Sequence, residues 1–136
     1  MIAYVEGTLL YMEQDSAVLL TSGGVGYQIF LTTQGLSALP SVGHQVRLFV
    51  HIVVREDALT LYGFLSREER DSFLTLISVP KLGPKTALAM LGCYAPEELA
   101  ACIAREDMAA LTVIPGIGPK TAQRLIFDLK DKLKPT

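Results

Sequence analysis

The feature that most constrains this chain is an internal repeat. Val79-Pro80-Lys81-Leu82-Gly83-Pro84-Lys85-Thr86-Ala87 returns 35 positions later as Ile114-Pro115-Gly116-Ile117-Gly118-Pro119-Lys120-Thr121-Ala122, with six of nine residues identical. Self-similarity at a fixed displacement marks a supersecondary unit used twice. Each copy follows a short apolar helical segment and precedes another, so the unit reads as helix, tight turn, helix. Pro84 and Pro119 suit the first position of the following helix, where a missing N–H costs nothing. Gly83 and Gly118, just ahead of them, read as turn residues able to take positive φ.

The flanking sequence supports an all-helical second half. Ser66-Arg67-Glu68-Glu69 has the form of a capping box, predicting a helix from Arg67 to about Ser78 with Phe73, Leu74, Leu76 and Ile77 on its apolar face. Pro96 precedes Glu97, Glu98, Leu99 and Ile103 in the manner of a first-turn proline, and Asp107 is placed to cap Met108 to Thr112. A last helix starting at Pro119 would bury Leu125, Ile126, Leu129 and Leu133. Residues 64 to 136 thus read as a compact domain of about five helices. The closing Lys130 to Thr136 reads as a fraying end or the start of a linker.

Residues 1 to 63 have the period of strands instead. From Val46 to Val54 every even position is apolar, while Gln45, Arg47 and His51 fall among the odd ones, the alternation of a half-buried strand. Shorter candidates are Met1 to Leu10, Ala17 to Thr21, Gly26 to Leu31 and Ala58 to Tyr62, parted by Ser22-Gly23-Gly24, Ser41-Val42-Gly43 and Arg55-Glu56-Asp57. Five short strands with such turns fit a small barrel. An OB-fold is one such barrel, and periodicity does not fix the topology.

Charge divides along the same line. The chain has a formal net charge of −2, which on average argues against a nucleic-acid partner. Yet residues 1 to 63 hold only Arg47 and Arg55 against Glu6, Glu13, Asp15, Glu56 and Asp57, and every lysine lies beyond them. If one part meets phosphate, it is the second. Cys93 and Cys102, with His44 and His51 far from them, form neither a disulfide framework nor a zinc motif, and both cysteines are expected to be small core residues. Nothing calls for a metal or small cofactor. Trp is absent and aromatics are 7% of the chain, so an aromatic platform for single-stranded bases is not expected. Apolar runs are interrupted well before the roughly 18 residues of a membrane span, and the first residues lack the basic start and cleavage site of a signal peptide, so a cytoplasmic protein is expected.

The physical chemistry of the repeated turn favours an anion. First-turn N–H groups of a helix have no intrahelical partner, and together with the positive end of the helix dipole they face a phosphate without any large side chain intervening. Lys85 and Lys120 add a point charge at the same place in each copy. Because backbone amides do much of the binding, the domain need not be strongly basic. A plain helical hairpin with a solvated lysine is the competing reading of one copy; it does not require lysine at one exposed place twice. A nucleotide-binding P-loop is excluded, because Pro84 and Pro119 stand between glycine and lysine.

These paired turns resemble helix-hairpin-helix motifs, which bind DNA backbone without reading sequence. The ordered set of an M-I-x-x-x-x-G start, G-G-V-G-Y at Gly23 to Tyr27, V-V-R-E-D at Val53 to Asp57, L-Y-G-F at Leu61 to Phe64 and then two hairpins resembles the RuvA family over essentially the whole chain. The resemblance implies an α+β chain, an N-terminal five-stranded OB-fold β-barrel over 1–63 followed by an all-helical domain over 64–136 with two helix-hairpin-helix motifs. It implies a homotetramer, one or two per junction, holding a four-way DNA junction open for the RuvB ATPase, with the RuvC resolvase as a further partner. The DNA-binding residues it implies are Leu82, Gly83, Lys85 and Thr86 in the first copy, and Gly116, Gly118, Lys120 and Thr121 in the second. Arg124, one turn further along, is a further candidate, though an exposed helix residue would look the same. Glu56 and Asp57, ordinary hairpin-tip acids on their own, correspond to an acidic pin at the junction centre that repels phosphate.

Two departures stand out. Lys81 occupies the place of Gly116, so the first turn is expected either to adopt a different backbone or to gain a basic contact. The family also has a third helical domain, beyond a linker, that engages the motor; this chain stops at Thr136 without it, as a truncated form or fragment would, and is expected to bind junctions without activating the motor. The enzymatic alternative is a DNA glycosylase with one similar hairpin and a nucleophilic lysine at the place of Lys120. Such an enzyme needs an Asp well downstream, whereas Asp128 and Asp131 come too soon. A generic helix-hairpin-helix DNA binder and a helical module without DNA also compete with the junction-binding reading.

Overall fold

The computed structural model describes residues 2–133. Met1 and Lys134-Pro135-Thr136, part of the expected fraying end, lie outside the described residues. Five strands, β1 (Tyr4–Met12), β2 (Ser16–Leu20), β3 (Gly26–Phe30), β4 (Gln45–Arg55) and β5 (Ala58–Phe64), close a barrel in the order β1-β2-β3-β5-β4. All pairings are antiparallel except β3 with β5. This is the five-stranded, OB-fold-like barrel expected. The alternation on β4 sends Val46, Leu48 and Val50 into a core shared with Val5, Leu9, Leu19 and Ile29. Gly63 is glycine for want of room, since a Cβ there would stand 2.5 Å from the Ile29 side chain.

One element had no counterpart in the periodicity. Helix α1 (Thr33–Ser37) sits between β3 and β4, and the Thr32 hydroxyl caps it by accepting the Gly35 N–H at 2.9 Å. Burial of Thr32 leaves that hydroxyl no water to bond, so the cap also satisfies it.

The helical half holds α2 (Arg67–Ile77), α3 (Pro84–Cys93), α4 (Pro96–Ala104), α5 (Met108–Thr112) and α6 (Pro119–Leu129). The Ser66 half of the expected capping box and the Asp107 cap are present: the Ser66 hydroxyl accepts the Glu69 N–H at 3.1 Å, and the Asp107 carboxylate accepts that of Ala110 at 3.1 Å. Phe73, Leu76, Met90, Leu99, Ile103, Leu111, Leu125 and Leu129 are fully buried. Past α6, Leu133 is buried and donates its N–H to the Leu129 carbonyl. Cys102 is buried as expected, but Cys93, at the last position of α3, is exposed.

Two compact units divide between Arg70 and Asp71, inside α2. The strands end at Phe64, and the first turn of α2, as far as Arg70, falls in the same unit as the barrel. Burial and then the Arg70 guanidinium lower the pKa of His51 on β4, and burial raises that of Glu69, partly countered by a backbone hydrogen bond from Leu65. No single helix among the described residues is long and apolar enough to cross a membrane.

Candidate nucleic-acid interface

The two repeated segments fold into the same turn. The Leu82 N–H donates to the Val79 carbonyl at 3.1 Å, and the Ile117 N–H to that of Ile114 at 3.1 Å. Pro80 and Pro115 stand second in these four-residue turns, and the third residue has positive φ in both, 70° at Lys81 and 88° at Gly116. Proline second and positive φ third is the type II pattern. Positive φ therefore falls two residues earlier than expected. Gly83 and Gly118 are extended, with φ of −82° and −94°. The first turn does not adopt a different backbone either; Lys81 is held in the left-handed region that glycine fills in the second.

Glycine at 83 and 118 thus has no backbone reason, and it has no packing reason. A Cβ built at either position meets nothing within 4 Å. Each is the N-cap of the helix that follows, α3 or α6, and neither supplies a side-chain cap. Ser, Asp or Asn would stabilise those helices better. What glycine provides is access: the first-turn N–H groups of Lys85 and Thr86, and of Lys120 and Thr121, have no carbonyl four residues back within the helix and no capping oxygen over them. With the dipoles of ten- and eleven-residue helices behind them, these are two open anion sites.

Lys85 and Lys120 are exposed at those helix starts, and Thr86 and Thr121 are half-buried. Arg124 is exposed one turn beyond Lys120 on α6. Leu82 does not join them. Its side chain is 7% exposed and its N–H is already bonded within the turn, as is that of its buried counterpart Ile117. Both anchor the turn to the core. Gly116 is exposed and adjoins the first hairpin, since a Cβ there would stand 3.8 Å from the Thr86 hydroxyl. The two turns therefore lie side by side.

The α6 face also contains residues not singled out from the sequence. Gln123 and Phe127 line one surface groove with Lys120 and Arg124, and Phe127 is 83% exposed. The spacing of three, four and seven from Lys120 was the available signal.

Glu56 and Asp57 occupy the two-residue turn between β4 and β5, bounded by the Arg55 to Ala58 pair, and both are exposed. They lead the barrel's longest hairpin with negative charge. No cluster of metal-ligating side chains occurs among the described residues.

Comparison with known proteins agrees with this geometry. Residues 1–63 match the model of the RuvA N terminal domain, and residues 73–131 that of a SAM-like helix-hairpin-helix tandem. The chain is 49% identical over 134 residues to a protein of Maridesulfovibrio salexigens, covering 98% of this chain and 66% of the relative. A protein of Oleidesulfovibrio alaskensis is likewise 49% identical, with 98% and 67% covered, and one of Brevibacillus brevis is 47% identical over 133 residues, with 98% and 64% covered. Each of these relatives is named Holliday junction branch migration complex subunit RuvA. The chain spans about two thirds of the length of these curated relatives. With both halves matched in order and half of its residues shared with such relatives, the chain belongs to the RuvA family.

Proposed function

We propose that this chain binds four-way DNA junctions, the substrate in its relatives' name, and holds them open for branch migration. The observation that carries the reading is the pair of N-cap glycines, Gly83 and Gly118, extended in backbone and facing open space. Helix stability alone would favour a capping side chain there, whereas a phosphate seated on the N–H groups requires its absence. In this reading Lys85, Lys120 and Arg124 supply charge beside those amides, Thr86 and Thr121 flank them, and Gly116 and Lys81 shape the turns. Leu82 contributes packing only.

Contacts of this kind position the protein on backbone and carry no sequence information. Selection of a junction over duplex falls to geometry and to Glu56 and Asp57, whose carboxylates repel phosphate at the crossover. A homotetramer, one or two per junction, matches the four arms; RuvB as the motor, RuvC as the resolvase and a cytoplasmic setting belong to the same reading. Lys120 acts as a phosphate contact and not as a nucleophile, so borohydride treatment on an abasic duplex is expected to trap no adduct.

The deciding experiment is a gel-shift titration against an immobile four-way junction and a linear duplex of the same arm sequence, with excess competitor DNA. Strong preference for the junction is expected. Equal binding to both would reduce the chain to a generic helix-hairpin-helix binder, and binding to neither would remove the DNA reading.

A further inference from the structure

The β4–β5 hairpin outruns the barrel that it helps to close. β1 pairs with β4 only from Gln45 to Phe49, and β3 pairs with β5 only at Leu61 and Tyr62. Beyond those rungs the two strands pair with each other alone, through Val53 to Thr60, Val54 to Leu59 and Arg55 to Ala58. The face that lines the barrel core continues along this ribbon, because residues two apart share a face and directly paired residues share it too. It runs from buried Val50 through half-buried Ile52, opposite Leu61, to Val54 opposite Leu59. Val54 is 65% and Leu59 69% exposed. A lone two-stranded ribbon is marginally stable in water, and one with an uncovered aliphatic pair next to its tip is built to be covered by something.

Charge restricts what that is. Glu56 and Asp57 form the turn directly beyond this pair, so phosphate is repelled where the aliphatic face ends. Packing the same faces of two copies together would bring their carboxylates together as well. A flat, uncharged, apolar surface meets both conditions, and the faces of unstacked nucleobases are such a surface. We infer that Val54 and Leu59 bear on bases displaced from the stack at the centre of an open junction, the carboxylates holding the phosphates aside. This inference rests on the junction-binding reading above and adds to it a direct contact with bases.

The test uses a four-way junction with 2-aminopurine at the crossover, a base analogue that brightens when it leaves the stack, and a matched junction labelled mid-arm. The chain is expected to brighten the crossover label and not the mid-arm one. A Val54→Ser, Leu59→Ser double variant is expected to shift the junction in gels at similar concentrations while losing most of that brightening, and Val54→Ile with Leu59→Met to retain it. Full brightening by the bound serine variant would overturn the base contact and leave the junction reading standing. Loss of self-association by the serine variant in light scattering would assign the face to contacts between copies and overturn it too. No junction shift by the unaltered chain would overturn both.

Discussion

Lys81 and Gly116 hold the same place in two equivalent turns, and both have positive φ, 70° and 88°. For an L residue that conformation costs about 1 to 2 kcal/mol, which glycine avoids. Lys81→Gly would relieve that cost but loosen the unfolded chain, worth about 0.4 to 1 kcal/mol in the opposite direction. The difference predicts a net gain in stability of several tenths to about 1 kcal/mol, read as a raised denaturation midpoint. Because Lys81 is exposed beside the first anion site, the same variant is expected to bind DNA more weakly. Unchanged affinity would leave the lysine without a reason for its strain. Gly116→Ala should be destabilising by a similar amount, since at 3.8 Å from the Thr86 hydroxyl its Cβ meets no clash and φ alone decides.

The N-cap glycines separate stability from binding even more sharply. Gly83→Ser and Gly118→Ser place a preferred cap where φ is already extended and space is open, which should add a few tenths of a kcal/mol to each helix. The serine hydroxyl would then occupy the N–H groups offered to phosphate. A more stable protein with weaker binding to all DNA is expected from thermal denaturation and gel shifts on the double variant. Tight binding by a stabilised variant would refute the amide sites.

Much of this was legible in the sequence because the repeat copies whole local environments. Where Pro-Lys-Thr-Ala recurs at one spacing, the helix start recurs with it. Which glycine does what was not legible: Gly116 provides a left-handed φ and Gly118 provides access, yet both are only a missing Cβ in the sequence. Lys81 hid the turn position in the first copy by breaking the pattern that would have marked it. Leu82 was implied as a site residue by the family resemblance alone, whereas the turn directs it inward. Helix α1 escaped notice because five residues show too little periodicity, and only Thr32 followed by Gly35 hinted at a cap. Strand alternation on β4 gave the barrel wall but not its rim. That Val54 stands beyond its neighbours depends on where β1 and β3 stop pairing, a non-local fact.

Lys85 and Lys120 should act through charge alone. Replacing both with Glu is expected to weaken junction and duplex binding alike. It should also reduce the slope of log affinity against log salt by about 0.9 for each phosphate that is no longer neutralised on duplex arms. Both side chains are exposed on the first turns of α3 and α6, so stability should change little. A slope equal to that of the unaltered chain would show that the lysines are only solvated.

His51 makes the barrel unit sensitive to pH. Burial, and then the Arg70 guanidinium, hold its pKa below the ordinary 6.5. The unfolded chain therefore binds the imidazole proton more readily, so this contribution to stability is present above about 6.5 and is lost as pH falls through the lower folded value. Glu69 acts oppositely, because burial raises its pKa above 4.5 and favours the folded state as it protonates. Comparing His51→Gln with the unaltered chain isolates the first effect. Denaturant midpoints between pH 7.5 and 5.5 should fall less in the variant, and equal falls would show that His51 is not the sensor.

Glu56 and Asp57 test selectivity in place of affinity. Both are exposed in a two-residue turn, so Glu56→Gln with Asp57→Asn should leave stability within about 0.5 kcal/mol. Removing the carboxylates removes repulsion wherever phosphate comes near the tip. On plain duplex, where phosphates line both strands, that repulsion opposes binding throughout. In the proposed junction complex the tip would enter where the strands part, with fewer phosphates facing it. Neutralisation is therefore expected to increase duplex affinity more than junction affinity, narrowing the ratio of the two in paired titrations at one ionic strength. The effect should shrink as salt screens the carboxylates, with a Debye length of about 10 Å at 0.1 M. A ratio that stays constant at low salt would make these two acids ordinary turn residues and would return the whole of junction selectivity to the spacing of the hairpins.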